Sequence, residues 1–205
     1  RTMELKLLQM EVIQSLQIKK VYAQFFTTAF WKKRGNAIGG SIFSFGFNTN
    51  GELGDSSVVA KSSPVQIGAL TDWLSVSAGR VQTTAIKTDG LLWSWGKSSY
   101  LGISAAGTKS SPVQIGTATD WLKVSSGDSS AMAIKTDGSL WGWGSNGSNF
   151  PLGTGVASGT LSSPVQVGTD TNWSKVSVGF YGGLAVKTNG TLWTWGYNYK
   201  GRLGL

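Results

Sequence analysis

The side chains able to do chemistry in this chain are few and regularly placed. Asp72 and Asp120 recur 48 residues apart, as do Asp89 and Asp137. Asp89 and Asp137 are each followed by glycine, and Asn189-Gly190 repeats the arrangement. Such dipeptides favour two-residue hairpin loops, in which both central positions need φ > 0. Asp72 and Asp120 each precede a tryptophan and read as turn residues. Turns therefore account for these carboxylates, and no acid–base pair is left over. The chain has no histidine and no cysteine, so the commonest general base, a thiolate nucleophile, disulfides and the usual zinc ligands are all missing. The glycine-rich stretches lack the Gly-Lys-Ser/Thr of a phosphate loop, and no Asp-x-Asp-x-Asp spacing offers a calcium loop. The sequence predicts a protein without catalysis, cofactor or metal. Its remaining chemistry is recognition by aromatic and charged side chains in loops.

The formal net charge is +8, a balance that invites a nucleic-acid or anionic partner. Its distribution argues otherwise. Residues 1–40 hold seven basic and two acidic side chains, while residues 41–205 hold eleven against eight. The basic excess belongs to the N-terminal stretch, and nucleic acid is not the expected partner. No apolar run approaches the ~18 residues that span a bilayer.

What would position recognition loops is a repeat. Trp-x-Trp-Gly occurs at Trp93–Gly96, Trp141–Gly144 and Trp193–Gly196, preceded by the variant Phe43-Ser44-Phe45-Gly46. Ser-Ser-Pro-Val-Gln recurs at Ser62–Gln66, Ser110–Gln114 and Ser162–Gln166, and Trp73, Trp121 and Trp173 keep the same register. Periods of this length mark propellers and solenoids. Each unit reads as four strands. Leu74–Ala78 is the first, Gln82–Thr88 the second and Leu91–Gly96, after the Asp-Gly turn, the third. The fourth surrounds Pro64-Val65-Gln66-Ile67, where proline suits an edge because it lacks the N–H an interior ladder needs. In the third strand, bulky Trp93 and Trp95 share one face and small Ser94 takes the other; Ser44, Gly142 and Thr194 fill the small place elsewhere. Large-against-small packing of one blade on the next suits an all-β propeller of four-stranded antiparallel blades. Three full repeats and partial ones are expected.

The order Trp-x-x-Val-Ser-x-Gly, Ala-Ile-Lys-Thr-Asp-Gly, Leu-Trp-x-Trp-Gly, Asn-x-x-Gly-x-Leu-Gly and Ser-Ser-Pro-Val-Gln resembles the regulator of chromosome condensation repeat, from about residue 41 to 205. The resemblance implies a seven-bladed propeller of about 350 residues when intact, so the chain reads as a fragment of a longer repeat protein. Two departures stand out. The family often carries His before the second strand, where this chain has Gln82, Ser130 and Gly182. The best-known member exchanges nucleotide on a small nuclear GTPase and docks on nucleosomes, and no motif here carries those contacts residue by residue.

Three divisions are expected: a basic, helix-compatible segment over 1–17, with an apolar stripe inside Met3–Ile18; a degenerate first blade over 18–54; and the repeats over 55–205. Val21–Phe30 overlays Val76–Ile86 with one gap, and the next hairpin would carry an insertion around Arg34–Gly40. If the Asp-Gly hairpins lie on one face, the turns after strands one and three share the other. That face would present Arg80, Val81, Asp128, Ser129, Phe180, Tyr181, Tyr197 and Tyr199. Loops on a rigid scaffold are where binding surfaces are built, and tyrosines make good anchors. The expected function is a noncatalytic protein-interaction or structural module with a protein partner or larger assembly, and a glycan as a further candidate ligand. The Ser/Thr/Gly-rich loops and lack of cysteine are compatible with an extracellular, microbial or phage (virion) surface. The alternatives are a nucleotide-exchange or chromatin-associated regulator and a secreted enzyme-inhibitor propeller.

Overall fold

The computed structural model describes residues 28–33, 39–104, 107–147, 151–156 and 159–204. The helix expected within Met3–Ile18, residues 18–27 of the degenerate blade and most of the expected insertion lie outside the described residues.

Fourteen strands follow one another among the described residues: β1 (Thr28–Lys33), β2 (Gly40–Gly46), β3 (Lys61–Gln66), β4 (Trp73–Ala78), β5 (Gln82–Lys87), β6 (Leu92–Gly96), β7 (Lys109–Gln114), β8 (Trp121–Ser126), β9 (Ser130–Lys135), β10 (Leu140–Ser145), β11 (Thr160–Gln166), β12 (Trp173–Val178), β13 (Gly182–Lys187) and β14 (Leu192–Gly196). They form antiparallel meanders. The complete blades are β4-β5-β6-β7 and β8-β9-β10-β11; β1-β2-β3 precede them and β12-β13-β14 follow. A lone bridge, Gly40 to Trp73, joins the first two blades into one sheet. In β1 the ladder pairs Trp31 with Ile42 as β5 pairs Ile86 with Leu92. The equivalence of Phe30 with Ile86 expected from sequence therefore slips by one residue.

The hairpins differ in type from the expected one. Gly90 takes φ 78° while Asp89 stays at negative φ. Gly90 N–H donates to Lys87 C=O at 3.0 Å, Lys87 N–H to Leu91 C=O at 3.0 Å, and Leu91 N–H to Asp89 Oδ1 at 3.0 Å. This is a three-residue loop, a tight turn closed by one left-handed glycine. Aspartate earns its place through its side chain, not through a positive φ. Ser139 N–H to Asp137 Oδ1 (2.8 Å) and Thr191 N–H to Asn189 Oδ1 (3.1 Å) repeat the device.

Apolar cores lie between blades. Ile42 and Ile67 of the first blade pack with Trp73, Ala85 and Trp95 of the second. Ile86, Leu92 and Ile115 pack with Trp121 and Trp143; Met132, Ile134, Leu140 and Leu152 pack with Trp173 and Val178. The small residue of the third strand does not receive the neighbour's tryptophan directly. Ser44, Ser94 and Thr194 donate their hydroxyls to Leu53, Leu101 and Leu203 C=O at 2.8, 2.7 and 2.9 Å, which ties the following loop down over that face. Loop glycines then meet the next blade: Cβ atoms added at Gly54, Gly102 and Gly153 would fall within 3 Å of Trp95, Trp143 and Trp195.

At the other end of the third strand, three of the units hold a lysine among tryptophans. Lys135 Nζ sits 4.8 and 4.9 Å from the Trp121 and Trp141 ring centres and 3.1 Å from Asp120 Oδ1. Lys87 with Trp73, Trp93 and Asp72, and Lys187 with Trp173, Trp193 and Asp170, make the same cage. The rings meet edge to face at 5.9–6.4 Å, the arrangement their quadrupoles favour.

Candidate functional site

Adjacent inner strands are fastened by hydroxyls. Ser126 N–H donates to Ser77 Oγ at 2.8 Å, Ser126 Oγ to Ser77 C=O at 3.0 Å, and Val178 N–H to Ser125 Oγ at 3.0 Å. The turns that follow, at Gly79, Gly127 and Gly179, stack so closely that a Cβ at Gly79 would lie 2.1 Å from Gly127 C=O. Each turn is then bonded to the loop leaving its own third strand: Lys97 N–H to Val81 C=O (2.8 Å), Ser145 N–H to Ser129 C=O (2.7 Å) and Tyr197 N–H to Tyr181 C=O (2.8 Å). The turns after strands one and three thus lie side by side.

The eight residues expected at this face divide into two sets of four. Arg80, Val81, Asp128 and Ser129 come together across two blades. The Arg80 guanidinium binds the Asp128 carboxylate through Nε–H to Oδ1 and Nη2–H to Oδ2, the latter at 3.1 Å, and Ser129 Oγ donates to Asp128 Oδ2 at 2.7 Å. Arg80 N–H reaches Gly127 C=O and Val81 N–H reaches Asp128 C=O, at 3.2 and 3.3 Å. Hydrogen bonding to Asp128 raises the Arg80 pKa above its ordinary value. Val81 is buried. The four act as a staple between the second and third blades.

Phe180, Tyr181, Tyr197 and Tyr199 form a different object. They are exposed and run as a chain of ring contacts: Phe180–Tyr181 at 4.2 Å, Tyr181–Tyr197 at 5.9 Å and Tyr197–Tyr199 at 5.8 Å, the last nearly parallel at 13°. Arg202 completes the group, with its guanidinium carbon 4.7 Å from the Tyr181 ring centre and 5.9 Å from that of Tyr199. Lys200 lies over Tyr199 at 5.3 Å. A trough of about 320 Å³ opens among Phe180, Tyr181, Trp195, Tyr197, Arg202 and Leu203. Sequence reasoning missed Arg202, although a signal existed. In Asn-x-x-Gly-x-Leu-Gly, Arg202 takes the place of Glu52, and so puts a guanidinium beside the Tyr181 and Tyr199 rings. Among the described residues no three acidic side chains gather as a metal would require.

Tandem four-stranded blades with their cores between them define a β-propeller. The regulator of chromosome condensation (RCC1) repeat matches residues 39–86, 121–149 and 173–202, and the chain belongs to that family. No curated protein matches the sequence. Among solved structures, human WBSCR16 is similar at 21% identity over 78% of this chain and 43% of its own, with a TM-score of 0.67. Prp20p from Saccharomyces cerevisiae, a structure described together with binding to Gsp1p and histones, is similar at 21% identity over 81% of this chain and 43% of its own, with a TM-score of 0.70. Yeast RCC1 (Prp20) bound to Kap60 is similar at 17% identity over 85% and 48%, with a TM-score of 0.68. The chain spans less than half the length of these structures, and at such identities the likeness is one of fold.

Proposed function

We propose that this chain is a noncatalytic protein-binding propeller module whose contact surface is the loop face of Phe180, Tyr181, Tyr197, Tyr199 and Arg202. The observation that carries the reading is the chain of exposed ring contacts bridged by Arg202. Rigid aromatics beside arginine supply most of the energy of protein interfaces. The cation comes from the blade's own loop, so the cluster is formed in the free chain and loses little side-chain entropy on binding. Solved propellers of this fold are described bound to Kap60 and in connection with Gsp1p and histones, which supports protein as the class of partner. A microbial or phage surface is the setting that the Ser/Thr/Gly-rich loops suit.

The test is affinity capture by the 205-residue chain beside a Tyr181→Ser/Tyr197→Ser double variant, with thermal melts of both. A specific partner should be retained by the first and lost by the second while the melts stay alike. Equal capture by both would place the contact elsewhere, and capture of glycans alone in an array would replace a protein partner by a carbohydrate.

A further inference from the structure

Two hairpins of this molecule are built to hold negative charge on one side-chain oxygen. In the third blade Trp141 Nε1–H donates to Ser139 Oγ at 2.8 Å, and Ser139 Oγ–H and N–H donate to Asp137 Oδ1 at 2.6 and 2.8 Å. The bonds from Ser139 hold the Asp137 carboxyl below its ordinary pKa, as donors aimed at an anion do. The fourth blade repeats the relay between β13 and β14. Trp193 Nε1–H donates to Thr191 Oγ1 at 3.1 Å, and Thr191 Oγ1–H and N–H donate to Asn189 Oδ1 at 2.8 and 3.1 Å. In the second blade Leu91 has no hydroxyl to offer, and Trp93 Nε1 is buried without a hydrogen-bond partner.

The fourth blade thus puts a neutral amide where the third has a carboxylate. Asn189 is followed by Gly190, whose nitrogen no side chain of its own shields. Attack of that nitrogen on Asn189 Cγ builds negative charge on Oδ1, where the two Thr191 donors are already aimed. Asn189 is exposed, and so are Asp89 and Asp137 at the same place in blades flanked on both sides, so the exposure belongs to the hairpin itself. No acceptor among the described residues holds Asn189 Nδ2. The other Asn-Gly pairs differ. Asn146 is 1% exposed, its Nδ2 donates to Val156 C=O at 3.0 Å, and its Oδ1 receives only the Leu152 N–H at 3.4 Å. Asn50 Nδ2 donates to Glu52 Oε1 at 2.5 Å, which sets an existing anion beside the place where a second one would form.

We propose that Asn189 is a site of spontaneous conversion to aspartate and isoaspartate, promoted by Thr191. The Gly190 N–H leaves Lys187 C=O, which it meets at 3.0 Å in the closed loop, and gives its proton to water. The nitrogen bonds to Asn189 Cγ, the bond from Cγ to Nδ2 breaks, and Nδ2 departs with an added proton as ammonia. Water then opens the resulting five-membered imide at either carbonyl. One opening gives aspartate, and with it the turn that the third blade already uses. The other gives isoaspartate, whose extra backbone methylene enters the loop closed by Lys187 N–H to Thr191 C=O at 3.0 Å and lengthens it. Both add one negative charge, on a hairpin that shares no residue with the aromatic face.

The test is to hold the folded 205-residue chain at neutral pH and body temperature and to follow amide-to-acid conversion by peptide mapping with mass spectrometry. Asn189 should convert several-fold faster than Asn50 and Asn146, with isoaspartate among its products. Thr191→Val keeps the N–H and removes the hydroxyl, and should slow Asn189 roughly tenfold, the worth of one bond to a developing anion. Thr191→Ser, which restores the pair found at Asp137 and Ser139, should keep the original rate. Melting curves check that both variants fold. In urea the three Asn-Gly pairs should convert alike, and Thr191→Val should lose its effect. The proposal is overturned if Asn50 or Asn146 converts as fast as Asn189 in the folded chain, or if Asn189 does not convert. It is also overturned if Thr191→Val changes nothing in the folded chain, or slows Asn189 equally in urea.

Discussion

Gly79→Ala should be among the most disruptive small substitutions in the protein. The position has an ordinary negative-side backbone, so no conformational penalty applies. The added Cβ, however, would stand 2.1 Å from Gly127 C=O and 3.2 Å from Gln82 C=O, and both are backbone atoms. Ordinary contact begins near 3.4 Å, so the second and third blades must part by more than about 1 Å at this turn. Of the hydrogen bonds that cross there, four involve the backbone: Ser126 N–H to Ser77 Oγ, Ser126 Oγ to Ser77 C=O, Arg80 N–H to Gly127 C=O and Val81 N–H to Asp128 C=O, at 2.8, 3.0, 3.2 and 3.3 Å. The last two cannot survive such a shift, and the first two would be stretched. At about 0.5–1.5 kcal/mol each, the loss is about 2–4 kcal/mol, a large part of the ~5–15 kcal/mol by which domains are usually stable. Urea denaturation read by tryptophan emission would measure it. Gly147→Ala is the control, because its Cβ would meet nothing within 4 Å and its expected change is within about 0.5 kcal/mol. A Gly79→Ala loss below about 1 kcal/mol, or equal losses for both variants, would refute close backbone approach as the reason for glycine.

Two further outcomes follow from the side chains. Lys135→Met should cost about 1–2 kcal/mol in the same assay, since the cation over Trp121 and Trp141 is lost in a partly desolvated site; a neutral result would show the cage to be packing alone. Asp55 is pulled upward by burial, but hydrogen bonds from Ser57, Lys61 and Asn48 prevail and hold it below the ordinary 3.8. Its contribution to stability is therefore full above about pH 4 and fades as pH falls through the lowered value. Melting temperature against pH should show a flatter acid limb for Asp55→Asn, and an unchanged limb would contradict the assignment.

How much of this was legible beforehand depended on whether a feature repeats. Trp-x-Trp-Gly, Ser-Ser-Pro-Val-Gln and the Asp-Gly turns were readable as strands, edge and hairpins, because alternation and turn chemistry are local. The part played by Ser94 was not, since its partner is Leu101 C=O on a loop whose path no pattern states. Arg80 and Asp128 stand 48 residues apart in equivalent turns, and no local pattern links their difference in type. In the structure the difference is complementarity: one blade's cation needs the next blade's anion at the same place. The grouping of Phe180, Tyr181, Tyr197 and Tyr199 followed from the up-and-down parity of the strands. Arg202 stands out only when it is set against Glu52, its counterpart in an earlier repeat.

Placing each core between blades also fixes what the chain can gain or lose by duplication. The heritable unit is a junction: one outgoing face with its Leu-Gly loop and one incoming tryptophan. An added copy of 48–52 residues would create one new junction of the existing kind and leave every older one intact. Half a copy would leave a tryptophan without its glycine. Recombination is thereby steered toward whole steps, while loop residues that pair across a junction, as Arg80 and Asp128 do, must change together.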